Sequence, residues 1–421
     1  MRAPLLSVLM VLSACLQAQG TRVLFIGNSL TYMNDLPGMF GQLAVSMGEP
    51  VQTSMVAPAG MTLQGHSTHA ATQAAIAAGP WDFVVLQEQS QLPSFPPSQV
   101  NAQVFPFAAQ LVQQIRAVSP CAEVVFLMTW GYENGDLSNC ASFPPLCTYE
   151  GMQLRLRESY VQMADDNASW CAPAGMVWRA HRDQYPTVNL YADPSHPNGY
   201  GTYVAATTLA STIFRRSCTA AGFQPGALSP AEGDAIRSLA SAIVLDSLPI
   251  WNIGVNHPVA DANWTSLGGG QVLFANNTVG AATQAWDFGD GGTSTDTDPV
   301  HTYGTSGPHT VTLITWDACG RGDTLTLLVD PFTSIASSEA ENASPLVRVV
   351  ELGRTPMLQV DKAPSGSRLR VHDLLGQTLS EHTVTGPEAR SYMLPAGMHG
   401  VLLWSLVTAH GERWTGRIMV P

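Results

Sequence analysis

The stretch Val23-Leu24-Phe25-Ile26-Gly27-Asn28-Ser29-Leu30-Thr31 decides the fold. Four apolar residues run into Gly-Asn-Ser, and an amphipathic segment follows, with Leu36, Met39, Phe40, Leu43 and Met47 on one helical face. A strand that is apolar throughout belongs in a sheet covered on both sides. In open α/β sheets ligands gather beyond the carboxyl ends of the strands, so Ser29 is expected at the rim of a cleft. A helix start close by would set backbone N–H groups beside its hydroxyl. Taken alone, Gly-x-Ser after a strand is more often only a turn.

Outward from this stretch, four more β-rich runs occupy the first half: Val51–Ala57, Asp82–Gln87, Glu123–Trp130 and Gly175–Ala180. Helical spacing lies between them, as in Val104, Phe107, Ala108, Leu111 and Ile115, and again in Tyr200, Tyr203, Val204 and Ile213. Strands alternating with helices predict parallel β-α-β units and an α/β fold, a flavodoxin-like three-layer α/β/α sandwich. Ser229-Pro230-Ala231-Glu232 offers a capping Ser, Pro at the first helical position and Glu at the third, so one more helix should close this domain near residue 250. From Gly254 the texture changes to short alternating runs between Gly, Thr, Asn and Asp, which predicts a small antiparallel β-module to about 331. Residues 332–345 read as a linker. Residues 346–421 read as a second β-module, with strands at Arg368–Leu375 and Val401–Val407.

Only 12% of the 421 residues are charged and the formal net charge is −13. Such a surface argues against nucleic acid as a partner, because phosphate binders concentrate Lys and Arg. Met1-Arg2, the apolar run Ala3 to Leu12 and small residues through Ala18 make residues 1–18 a signal peptide. Leu12-Ser13-Ala14-Cys15 also resembles a lipoprotein cleavage box, ranked second because a strand starting near Arg22 leaves little tether. No later run reaches the ~18 apolar residues of a membrane helix. Export permits disulfides among the remaining six cysteines. Cys140 with Cys147 and Cys121 with Cys171 are the pairings first considered, among 15 connectivities.

The second chemical segment is Tyr191-Ala192-Asp193-Pro194-Ser195-His196-Pro197-Asn198, just before the helix that starts near Gly199. A serine hydroxyl needs a base, and an imidazole needs a carboxylate to fix its tautomer and stabilise its charged form. A three-residue spacing on a turn lets Asp193 reach back to His196. Asp-x-x-His alone would more often be a Pro-rich loop with a helix cap.

Together the two segments resemble the SGNH (GDSL-like) hydrolases over roughly residues 20–250. In that superfamily the serine follows the first strand and Asp-x-x-His precedes the last helix. The resemblance implies a triad of Ser29, Asp193 and His196 and an oxyanion hole built from the Ser29 amide, a glycine amide and an amide side chain. Gly60 in Ala57-Pro58-Ala59-Gly60 stands at the glycine position. Where the family has Gly-x-Asn-Asp, this chain has Leu86-Gln87-Glu88-Gln89-Ser90, and aligned strand ends put Gln89 at the Asn position. The run also resembles the Gln-Gly-Glu-Ser segment of carbohydrate esterases, which would favour Gln87. Trp130, Tyr132 and Glu133 are candidates to line an acyl or sugar pocket, although aromatic residues there are as often packing. His66, His69 and His181 do not match zinc ligand spacing, and neither metal nor organic cofactor is expected.

Trp286-Asp287-Phe288-Gly289-Asp290-Gly291, His301-Thr302-Tyr303 and Thr310-Val311-Thr312-Leu313 resemble a PKD domain, an immunoglobulin-like sandwich, with His309 where a Tyr is usual. That implies a spacer or weak glycan binder. Val371-His372-Asp373-Leu374-Leu375-Gly376, Leu394-Pro395-Ala396-Gly397 and Arg417-Ile418-Met419-Val420 resemble a type IX secretion sorting domain, with His372 in place of Tyr. It implies the type IX machinery as a partner and a destination outside a Gram-negative cell. The expected activity is hydrolysis of esters, with acylated carbohydrate as substrate. A lipase or thioesterase, or a non-catalytic glycan-binding surface protein, are the alternatives.

Overall fold

The computed structural model describes residues 20–332 and, between 346 and 420, seven strands with part of their connections. The expected leader 1–18 with Cys15, residues 333–345 of the expected linker, Asp373–Gly376 and Pro395–Gly397 lie outside the described residues.

A parallel sheet of order β2-β1-β3-β4-β5 centres the first domain: β1 Thr21–Ile26, β2 Val51–Val56, β3 Phe83–Leu86, β4 Glu123–Leu127 and β5 Trp170–Ala172. The order is flavodoxin-like, as expected. Apolar β3 and β4 are buried almost throughout, whereas β2, with Gln52 and Ser54, alternates and forms an edge. Ten helices accompany the strands: α1 Ser29–Tyr32, α2 Leu36–Ser46, α3 Leu63–His66, α4 Ala70–Ala77, α5 Pro97–Gln103, α6 Phe105–Val118, α7 Tyr149–Asp166, α8 Ala174–Gln184, α9 Gly199–Phe214 and α10 Pro230–Leu245. Helix α9 packs on α2, α8 and α10, while α6 gathers α3, α4 and α5. The capping box at Ser229 and Glu232 is present.

Two expectations fail here. Gly175–Ala180 is not a strand but lies in α8, and the fifth strand is Trp170–Ala172. Ala174, Val177, Trp178 and His181 are all buried at i, i+3, i+4 and i+7, the helical period that the short apolar run conceals. Cys121 does not pair with Cys171. Register sets Phe126 beside Cys171, so Cys121, five residues earlier, lies about 16 Å along the strand direction. Cys121 bonds Cys319 instead, Cys140 bonds Cys147 as expected, and Cys171 and Cys218 are buried thiols.

The middle module holds two antiparallel sheets, β10-β7-β6 and β12-β11-β8-β9: β6 Ala262–Gly268, β7 Gln271–Asn276, β8 Thr283–Asp287, β9 Thr293–Ser294, β10 Val300–Thr302, β11 His309–Trp316 and β12 Gly322–Val329. Phe274, Trp286, Phe288, Tyr303 and Leu313 form their shared core, and His309 stacks on Tyr303 at 4.3 Å. Cys319 and Arg321 fasten this module to the first domain, because Arg321 and His257 both bond the buried Glu123 carboxylate at the start of β4. The last strands, β13 Leu346–Leu352, β14 Thr355–Asp361, β15 Arg368–His372, β16 Thr378–Thr383, β17 Arg390–Met393, β18 Gly400–Val407 and β19 Arg413–Val420, form sheets β13-β14-β17 and β16-β15-β18-β19 around Leu358, Leu369, Val371 and Leu406.

Candidate active site

Strand β1 delivers the Gly27-Asn28-Ser29 turn to the carboxyl edge of the sheet. A Cβ at Gly27 would stand 2.3 Å from Thr31 Oγ1 and 2.6 Å from Gln87 Oε1, so the turn needs glycine. Asn28 caps α1 by accepting the Leu30 N–H at 3.2 Å, and its Nδ2 donates to the Met61 carbonyl at 2.9 Å. His66 supports the same turn, its Nε2 lying 2.8 Å from the Gly27 carbonyl and its Nδ1 2.7 Å from Thr72 Oγ1.

The loop before α9 brings the second segment to the same edge. His196 Nε2 lies 3.0 Å from Ser29 Oγ, and His196 Nδ1 lies 2.7 Å from Asp193 Oδ2. Asp193 Oδ1 accepts the backbone N–H groups of Ser195 and His196, each at 2.8 Å. Desolvation pulls the Asp193 carboxyl upward, but these N–H bonds and the imidazole outweigh it and hold it at about 2. The arrangement can take a proton from the Ser29 hydroxyl and stabilise the imidazolium that results.

Strand β3 ends in the run that decides the amide donor. Gln87 is fully buried, and its Oε1 accepts the Asn28 N–H at 2.9 Å and the Thr31 hydroxyl at 2.8 Å, while Nε2 donates to the Glu88 carbonyl. Both of its amide atoms are thus engaged, Oε1 within the turn that carries Ser29. Gln89 is half-buried, its Oε1 accepting the N–H groups of Gln91 at 3.0 Å and Leu92 at 3.1 Å. Gly60, with φ of +65°, has open space where a Cβ would project. Its strap is tied to the nucleophile turn by the Met61–Asn28 bond.

Trp130, a candidate to line the pocket, is placed under the loop before α9. It is buried, stacks on Trp178 at 4.0 Å and donates from Nε1 to the Ser195 carbonyl at 3.1 Å, so it holds the Asp193–His196 loop. Glu133 helps with a backbone N–H to the Pro194 carbonyl at 2.8 Å. Tyr132 remains half-buried, with its hydroxyl donating to Gln91 Oε1 at 3.0 Å and lying 3.1 Å from Ser90 Oγ. His69 lies beside His66, whereas His181 in α8 meets the Tyr185 ring at a tilt.

Sequence reasoning passed over Glu88. Its carboxyl is fully buried and accepts the Leu63 N–H at 3.1 Å and the Gln89 N–H at 2.6 Å. Burial pushes it up to about 8, against the pull of those N–H bonds. The one available signal was a charged residue between two amides at the carboxyl end of a buried strand.

Fold and site define an α/β protein with a serine–histidine–aspartate line at the carboxyl edge of its sheet. The chain is similar to a solved structure from Slackia heliotrinireducens, described provisionally as an SGNH hydrolase, at 32% identity over 46% of this chain and 99% of that one, with a TM-score of 0.38. A DUF4886-family protein from Bacteroides uniformis matches at 18% identity over 54% of this chain and 96% of its own, with a TM-score of 0.46. Residues 247–329 match the PKD domain family. The PKD1 domain of the Vibrio cholerae metalloprotease PrtV is 31% identical over 18% of this chain and 98% of its own, with a TM-score of 0.17. A comparison with curated proteins finds no match. The N-terminal domain has a parallel α/β sheet flanked by helices like that of SGNH hydrolases.

Proposed function

We propose that the N-terminal domain hydrolyses carboxylic esters through Ser29, and that its substrates are acyl groups, acetyl foremost, on carbohydrate. The observation that carries this reading is the hydrogen-bonded line from Ser29 Oγ through His196 to Asp193, with separations of 3.0 and 2.7 Å. His196 accepts the serine proton as Ser29 attacks the ester carbonyl, then returns it to the leaving alcohol. The Ser29 and Gly60 N–H groups and Gln89 Nε2 hold the oxyanion, and water releases the acyl-enzyme with His196 again as base. Gln89 is preferred over Gln87 because the latter is consumed inside the turn.

The polar rim of Gln89, Ser90, Gln91 and Tyr132 suits a hydroxylated alcohol better than a long acyl chain. Leader, disulfides and C-terminal β-module support export, with the type IX route and a Gram-negative cell surface as the destination. The PKD domain acts as a spacer, a role supported by its covalent and ionic fastening at Cys121 and Glu123.

The test is turnover of p-nitrophenyl esters of increasing chain length and of acetylated xylo-oligosaccharides, with wild type beside Ser29→Ala. Acetyl preference and release of acetate that Ser29→Ala abolishes are expected. Preference for long chains would replace the substrate class with lipid or thioester, and inactive wild type that still binds glycan would replace the enzyme with an adhesin.

A further inference from the structure

We infer that Glu88 is a positioning residue for the oxyanion hole, setting the Gly60 strap and the Gln89 segment against each other through one buried carboxyl. The inference rests on the proposed ester hydrolysis. Glu88 contacts neither Ser29 nor His196 through any hydrogen bond among the described residues. It acts on the two chain segments that supply the other donors.

The Gly60 strap is pinned at two points. Nδ2 of Asn28 holds the Met61 carbonyl at 2.9 Å, and the Glu88 carboxyl holds the Leu63 N–H, 3.1 Å from each oxygen. Between these points lies only Thr62, whose hydroxyl oxygen caps α3 by accepting the Gly65 N–H at 3.1 Å. On the other side Glu88 Oε1 takes the N–H of Gln89 at 2.6 Å, and the Gln89 side chain is then locked by the N–H groups of Gln91 and Leu92.

One carboxyl thus bridges two loops that arrive from different strands, β2 and β3. An apolar residue would leave both N–H groups buried without a partner, so the loops would have to move to find water. An oxyanion hole depends on donors that are already in place when charge develops. Displacing them should lower kcat while ground-state binding, and so KM, is retained.

The experiment measures kcat and KM on p-nitrophenyl acetate, with thermal unfolding, for the full-length wild type, Glu88→Ala, Glu88→Gln, Glu88→Asp and Ser29→Ala. Glu88→Ala is expected to lose about 100-fold in kcat, the scale of one oxyanion donor, at little-changed KM. Glu88→Gln retains an oxygen for both N–H groups and should recover to within about fivefold of wild type. A folded Glu88→Ala with wild-type kcat, or a loss carried in KM, overturns the inference. Should Glu88→Ala not fold, Glu88→Asp decides: its shorter arm cannot reach both segments, so an unchanged kcat refutes the role and a selective fall in kcat supports it. If Ser29→Ala keeps wild-type turnover, the functional reading itself fails; if Ser29→Ala is dead and the Glu88 series is neutral, only the positioning role fails.

Discussion

Trp130 donates its indole N–H to the Ser195 carbonyl at 3.1 Å, and so the loop that carries Asp193 and His196 rests on a buried, stacked pair of tryptophans. Phe at this position keeps an aromatic face toward Trp178 and removes the donor. Loss of one hydrogen bond of about 1 kcal/mol should reduce kcat by about fivefold through a looser His196. Steady-state kinetics on p-nitrophenyl acetate checks this, and an unchanged kcat would detach the tryptophan pair from the site.

Asp193 is ionised at neutral pH, since its neighbours hold it at about 2. Asp193→Asn therefore removes a charge, and the Nδ1 hydrogen bond no longer selects the tautomer that leaves Nε2 free to accept. A fall in kcat of about 10³ to 10⁴ is expected at neutral pH. A loss smaller than tenfold would mean that His196 is oriented by Ser195 and the loop alone.

Several of these contacts were legible in the sequence and several were not. Gly27-Asn28-Ser29 and Asp193-Pro194-Ser195-His196 are local features, a strand end, a turn and a helix cap, and they point to a site only when read together. The capping box at Ser229 is local in the same way. Gln87 and Glu88 were obscured because the roles of three consecutive polar residues depend on which way each side chain points at a strand end, and only packing fixes that. Gln87 turns under Ser29, Glu88 toward α3, and Gln89 outward. Cys121 and Cys319 are 198 residues apart, and no local pattern foretells that β4 starts beside the PKD module.

That staple yields a prediction of its own. Cys121 precedes β4 and Ser29 follows β1, so in a parallel sheet the disulfide and the site lie at opposite ends. Cys121→Ser should lower stability, with about 5 kcal/mol as the chain-entropy ceiling for so long a loop. Turnover below the unfolding transition should stay at the wild-type value. Thermal unfolding and kcat measured on the same preparation test both halves, and a folded but inactive variant contradicts the separation.

Glu88 gives stability a pH dependence. Its carboxyl is raised from 4.5 to about 8 by burial, so proton binding favours the folded chain. That contribution is whole below about pH 4.5 and is lost as pH rises through about 8. The facing Tyr160 hydroxyl, pushed upward by burial, stays neutral over this window. Urea midpoints of wild type should fall relative to Glu88→Gln between pH 4.5 and 8. A gap that does not change with pH would contradict this.

The most direct measurement is reaction of the full-length protein with a fluorophosphonate, followed by peptide mapping. Attack by a serine that His196 activates leaves one phosphonyl group on Ser29, with loss of esterase activity in step, and His196→Ala should label more slowly by orders of magnitude. Ester turnover that survives complete labelling of Ser29, or a label carried by another residue, would contradict the assignment.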